Sequence, residues 1–275
     1  MRKVLTIFGM TAIALTQFLA PVRAEEIVSP GGSTIHRYGA PKSFEAAENS
    51  GRYLDEISAH LESMFGDNHY VLHEILSDKI RLDVLVFPPS SSRDTWVLVT
   101  AGMSDLPMSV PEDLENSEAY RFAEMAITLP GNWFDTDKNN RIREDQLWDD
   151  TRYWPVGHMK ALGRFPHNYE TWLHYWHTIP NGVPASPLAE NTRLNGFLLL
   201  PPFSWPDEKL SLTAGDGNKI TFLAIYPLYE EEMQFKLDQG VDALIDLFAA
   251  AGVTELVQVD RPNVMDSLQE GGSSQ

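Results

Sequence analysis

A chain of 275 residues suffices for one large domain, and its formal charge of −18 excludes a phosphate backbone as partner; a basic protein fits the charge better. The absence of cysteine removes thiol catalysis, thiolate metal sites and lipoprotein acylation.

The N-terminus begins MRKVLTIFGMTAIALTQFLAPVRA. Arg2 and Lys3 form a basic n-region, Val4 to Ala20 an apolar stretch, and Val22-Arg23-Ala24 a small-residue cleavage site. This pattern predicts a signal peptide over 1–24, with mature protein starting at Glu25 in the periplasm or the medium. No later stretch is apolar for long enough to span a membrane. Residues 25–42 are rich in Gly, Pro and Ser and predict a flexible leader.

Leu54, Ile57, Leu61, Met64 and Phe65 recur at helical spacing, and Gly66 stops that helix. Strands are predicted at Tyr70 to Leu76, Ile80 to Phe87, Thr95 to Thr100 and Phe122 to Leu129. Tyr153 to Phe165 predicts a helix, and the apolar run Leu194 to Leu200 a strand buried on both faces. Gly215-Asp216-Gly217-Asn218 predicts a hairpin turn into a strand over Lys219 to Tyr226. Two helices follow, Tyr229 to Leu237 and Val241 to Ala250, parted by Gly240 and stopped by Gly252. Glu255 to Val259 predicts a short edge strand, and 266–275 a polar tail. The sum is an α+β fold, with a mixed, largely antiparallel sheet packed by helices.

Three stretches resemble chemical motifs. Gly102-Met103-Ser104-Asp105-Leu106 starts like a nucleophile elbow, but Leu106 stands where the second glycine belongs and Pro107 forbids the following helix. The histidines of WLHYWHTIPNG (172–182), with His167, and the pair His69 and His73 suggest metal ligation, but an extended backbone would turn His174 and His177 to opposite faces. Asp135, Asp137 and Asn139 offer calcium-loop oxygens at positions one, three and five. Asn140 replaces the sharp-turn glycine of such a loop, and Gln146 its closing glutamate. No dinucleotide or phosphate-loop signature appears, so no cofactor is expected.

Four longer stretches carry a family resemblance. LVTAGMSDLPMSVP (98–111), YWPVGHMKALGRFPHNYETWLHYWHTIPNG (153–182), AENTRLNGFLLLPP (189–202) and FLAIYPLYEEEMQFKLDQGVDALIDLF (222–248) together resemble a bacterial suppressor-of-fused domain, over roughly Ser43 to Val264. The resemblance implies one α+β domain over 43–265 with no catalytic residues. Animal members hold a transcription-factor peptide between this domain and a second one, whereas bacterial members are commonly taken for immunity proteins that neutralise toxins. This chain departs by lacking the second domain, by its export signal, and by the divergent Asp135 to Asp145 stretch. The expected function is therefore an exported, non-enzymatic protein-binding domain.

WLHYWHTIPNG is expected to be a strand, with Trp172, His174 and Trp176 on one face and Leu173, Tyr175 and His177 on the other. Tyr175, Trp176 and His177 are the candidate partner-binding residues, since aromatic side chains anchor protein interfaces. Two other readings stay open on the sequence. One is a hydrolase or lyase using His174 or His177 as a base beside Asp105 or Glu190; the other is a calcium-stabilised envelope protein.

Overall fold

The structure is a computed structural model that describes residues 27–47, 51–266 and Leu268. The signal-peptide expectation and most of the polar tail lie outside the described residues. Among the described residues, no helix is long and apolar enough to cross a membrane.

Two short strands, β1 (Ile27–Val28) and β2 (Thr34–Ile35), pair antiparallel in the segment expected as a leader. That segment lies against the domain: Gly31 N–H donates to the Leu237 carbonyl at 2.7 Å, and Lys42 N–H to that of Asn168 at 3.0 Å. Helix α1 (Leu54–Phe65) follows, burying Ile57 and Leu61 on one face. Gly66 ends it with φ near +85°, as its position in the sequence predicts.

Strands β3 (Tyr70–Leu72), β4 (Asp83–Phe87), β5 (Thr95–Ala101) and β6 (Phe122–Pro130) form an antiparallel run. Helix α2 (Asp150–Tyr169) is longer than its apolar periodicity predicts. The Asp149 carboxylate caps it by accepting from Thr151 N–H at 2.9 Å. Pro155 inside the helix cannot donate to the Thr151 carbonyl, and the Asn191 side-chain amide supplies that donor instead at 3.2 Å.

The chain completes the sheet with β7 (Thr178–Pro180), β8 (Gly196–Leu200), β9 (Ser211–Thr213) and β10 (Lys219–Leu228). The order is β3-β4-β5-β6-β10-β8-β7, with β9 paired to the first residues of β10. Among the named strands of the described residues, only β6 and β10 run parallel; every other pair in this sheet is antiparallel. Helices α3 (Glu230–Gln239) and α4 (Val241–Ala251) meet at Gly240, whose φ is near +92°.

Strand period decides the layers. Ile220 and Phe222 of β10 join the cluster under α1, and Ala224, Tyr226 and Leu228 join the one under α3 and α4. The intervening Leu223 and Ile225 turn to the opposite face, where Trp154, Val156, Met159 and Leu162 of α2 pack. Both sheet faces are thus covered, which is why the central strands read as apolar runs.

Four predicted strands are shorter than their sequence patterns, Leu194 to Leu200 starting only at Gly196. The first keeps only Tyr70–Leu72 and the second starts at Asp83, because Glu74 and Asp83 are drawn into an ion-pair network. Glu255 to Val259 forms a single parallel bridge, Thr128 to Leu256, with Val257 N–H on the Thr128 carbonyl at 3.0 Å.

Candidate functional site

The expectation of a strand over Trp172 to His177 is corrected by the structure. Trp176 has φ near +74°, a left-handed conformation that reverses the chain, and β7 begins only at Thr178. Trp176 N–H donates to the Leu199 carbonyl at 2.7 Å, and Leu199 N–H to that of His177 at 2.9 Å. These bonds dock the turn onto the end of β8, so period-two alternation does not apply.

The three candidate residues consequently have different surroundings. Tyr175 is half-buried against the α2-side core, and its hydroxyl donates to the Phe222 carbonyl at 3.1 Å. That carbonyl sits where β8 stops and β9 starts along β10, so the tyrosine plugs a gap in the sheet. His177 packs edge-on to Trp172, with ring centroids 4.6 Å apart. Trp176 is the exposed member, at 42%.

The electrostatics weigh against an imidazole base. Burial pushes His174 down to about 4, helped by the nearby charges of His177 and Lys219. His177 is also lowered to about 4, by burial and then by Lys236 and His36. The groups acting on these rings are cations rather than the orienting carboxylates a base requires. Asp105 instead accepts from the Gly51 and Arg52 amides at 2.8 and 3.0 Å, and its charge acts on His167. Glu190 is exposed on a separate turn.

The elbow-like motif is a packing device. A Cβ on Gly102 would lie 1.9 Å from the Arg81 carbonyl oxygen, so only glycine fits there. The Ser104 hydroxyl is fully buried and donates to Glu124 at 2.6 Å. Glu124 also accepts from the Thr100 hydroxyl and the amides of Gly102, Met103 and Ser104. Burial pushes its carboxyl up to about 7 against those donors. The sequence signal for it was one charge inside the apolar run FAEMAITL.

The Asp135 to Gln146 stretch folds as a self-satisfied loop. Asp137 Oδ1 accepts from the Asn139 and Arg141 amides at 2.8 and 3.0 Å. Asp135 and Gln146 pair reciprocally, the Asp135 N–H on Gln146 Oε1 and the Gln146 amide on Asp135 Oδ2. Oxygens that a cation would need are thus engaged by N–H donors, and Gln146 closes the loop through its amide. Among the described residues, no three His, Cys, Asp or Glu side chains gather for a metal ion. His69 and His73 also part company: His69 Nε2 meets the Ser58 hydroxyl at 3.0 Å, and His73 Nδ1 meets Asp83 at 2.8 Å.

Next to the aromatic turn lies a largely acidic loop, whose Glu118 pairs with Arg121 at 2.8 Å. Ser109 N–H donates to the Thr171 carbonyl at 3.0 Å, and the Tyr120 ring packs against Trp172 and His174. Between them Glu112, Asp113, Glu115 and Glu118 are exposed. Four exposed carboxylates thus lie on the segment that packs against Trp172 and His174, next to the turn that exposes Trp176.

Comparison with known proteins follows the same lines. The family model described as "Suppressor of fused protein (SUFU)" matches residues 78–262. No curated protein matches the chain. Among solved structures, a suppressor-of-fused homolog from Neisseria gonorrhoeae FA 1090 superposes with a TM-score of 0.50 at 17% identity, covering 78% of this chain and 98% of its own. The Sufu–Fu complex gives 0.55 at 14% identity, covering 79% and 94%. Drosophila Suppressor of Fused gives 0.56 at 16% identity; the match covers 82% of this chain but 54% of that one. At these identities the likeness is one of fold, and the family-model match carries the assignment: the chain belongs to the suppressor-of-fused family.

Proposed function

We propose that this protein acts outside the cytoplasm as a non-enzymatic protein-binding domain, an immunity protein that neutralises a basic toxin. One observation carries the binding surface: Trp176 is exposed on a left-handed turn whose neighbouring aromatics are packed, two of them, Trp172 and His174, against Tyr120 at the end of an acidic loop. A large apolar side chain held in a costly backbone conformation is a common mark of a site kept for contact. Four exposed carboxylates and an overall charge of −18 favour a basic partner face. One solved relative carries a partner in its name, the Sufu–Fu complex, which supports protein binding as the activity of this fold. Tyr175 and His177 contribute by holding the turn, and Trp176 makes the contact.

The export half of the reading rests on the basic n-region, apolar stretch and cleavage site at Ala24. Intact-mass analysis of the exported fraction should give a chain starting at Glu25; a cytoplasmic chain retaining Met1 to Ala24 overturns it. For binding, the mature protein is used to capture partners from the medium or periplasmic extract. Trp176→Ala should lose a discrete basic partner while melting as the parent does. Equal capture by both forms removes Trp176 from the surface.

A further inference from the structure

Residues 27–42 form a strap laid on the domain. Gly31 N–H donates to the Leu237 carbonyl of α3 at 2.7 Å, and beyond it the segment HRYGAPK (36–42) runs onto the C-terminal end of α2. There the Tyr38 ring stands edge-on to Phe165 and tilted against Tyr169, with centroids 5.2 and 5.4 Å away. The Tyr38 and Thr171 hydroxyls share a hydrogen bond of 2.9 Å. Lys42 completes the contact: its ammonium donates to Glu170 at 2.5 Å and its N–H to the Asn168 carbonyl at 3.0 Å.

The segment has the chemistry expected of a partner. Arg37 and Lys42 stand in it without any acid, in a chain whose charge is −18. An aromatic anchor with a cation four residues later meets two aromatic rings and a carboxylate. Its hold is shallow, since the Lys42 and Glu170 side chains are 51% and 67% exposed and such a pair contributes little. On the receiving side, Glu170 ends α2 with φ near +50°, in a left-handed position that glycine ordinarily takes. A glutamate held there supplies a carboxylate that glycine could not. Asn168 Oδ1 is buried without a donor, so the strap leaves an acceptor of this platform unsatisfied. The platform also adjoins the aromatic turn: Thr171 precedes Trp172, and its carbonyl accepts from Ser109 N–H at 3.0 Å.

We propose that Phe165, Tyr169, Glu170 and Thr171 form a docking site for an aromatic and basic segment of the protein partner. Residues 36–42 occupy that site in the free protein as an internal competitor, and the partner displaces them. The inference deepens the protein-binding reading above, but its test requires neither a captured partner nor Trp176.

The probe is a fluorescently labelled synthetic peptide of residues 35–43, IHRYGAPKS, titrated by anisotropy onto the whole mature chain. Tyr38→Ala frees the platform from its own strap and should bind the peptide at least about tenfold more tightly than the parent, in which the tethered segment competes. Adding Glu170→Lys should abolish that binding, whereas adding Trp176→Ala should leave it unchanged. If Tyr38→Ala does not fold, Lys42→Ala takes its place with the same expectations. Absence of binding to the freed variant overturns the site, as does an affinity equal to the parent's, binding that survives Glu170→Lys, or binding lost with Trp176→Ala. Should the peptide behave as expected while Trp176→Ala captures partners like the parent, the platform stands and the Trp176 surface falls.

Discussion

Trp176 is held with φ near +74°, and a bulky residue in that region costs on the order of 1 kcal/mol or more. Glycine adopts the same backbone freely. Trp176→Gly should therefore leave stability within about 1 kcal/mol of the parent, the relief of strain offsetting the lost contacts. Urea unfolding on this variant checks the balance, and a loss of several kcal/mol would show the ring to be a core group. Tyr175→Phe should behave oppositely. It strips the Phe222 carbonyl of its donor at a half-buried sheet gap, so a loss of about 1–2 kcal/mol is expected in the same assay.

His174 and His177 give a pH dependence whose sign can be worked out. Both are held near 4 in the fold, against 6.5 for an ordinary histidine. As pH falls below 6.5 the unfolded chain takes up protons that the folded chain refuses. Their contribution to stability is therefore whole above pH 6.5 and is lost progressively down to about 4. The difference in melting temperature between parent and His177→Asn should narrow as pH falls through that window. A difference independent of pH would show that the fold does not hold His177 below its ordinary value.

At the scale of elements, the strap and α2 show how single positions hold a segment in place. A Cβ on Gly31 would fall 2.4 Å from the Gly240 backbone nitrogen and 2.9 Å from the Leu237 carbonyl oxygen. Backbone atoms at the junction of α3 and α4 cannot yield as a flexible side chain can. Gly31→Ala should release β1 and β2, seen as faster amide exchange at Gly31 and in α3 with the central strands still protected. Protection unchanged in α3 would mean that the strap contributes nothing there. Asn191 plays a comparable part for α2, supplying the donor that Pro155 withholds from the Thr151 carbonyl.

For the whole molecule, the buried pair Glu232–Arg261 ties the C-terminal segment to the sheet. Arg261 reaches both carboxylate oxygens of Glu232 and the Pro227 carbonyl, and stacks on Tyr229 and Phe248. The Tyr229 and Val264 amides donate to the same carboxylate. Arg261→Met should cost about 3–5 kcal/mol, because it strands a buried charge. Adding Glu232→Met should recover part of that loss but not all, since the two amides then lose their acceptor. Unfolding by urea on the single and double variants decides it, and a double variant no better than the single one would contradict this account.

Periodicity made the fold class and most element positions legible before any coordinates. The run GFLLL could only be a strand covered on both faces, and Gly66, Gly240 and Gly252 mark helix ends through backbone freedom alone. The long motifs likewise pointed to the suppressor-of-fused family before the match over residues 78–262. WLHYWHTIPNG has the composition of a strand, whereas the hydrogen bonds that turn Trp176 and His177 onto Leu199 come from a chain segment twenty-odd residues away. The same holds for Lys236. Nothing in EMQFKLD says that its side chain will be buried or that its charge will act on His177, because that neighbour arrives from the turn before β7. Local sequence determined which residues form helices and strands; tertiary packing alone decided which side chains stay exposed and which charged ones are buried, since both depend on distances between remote segments.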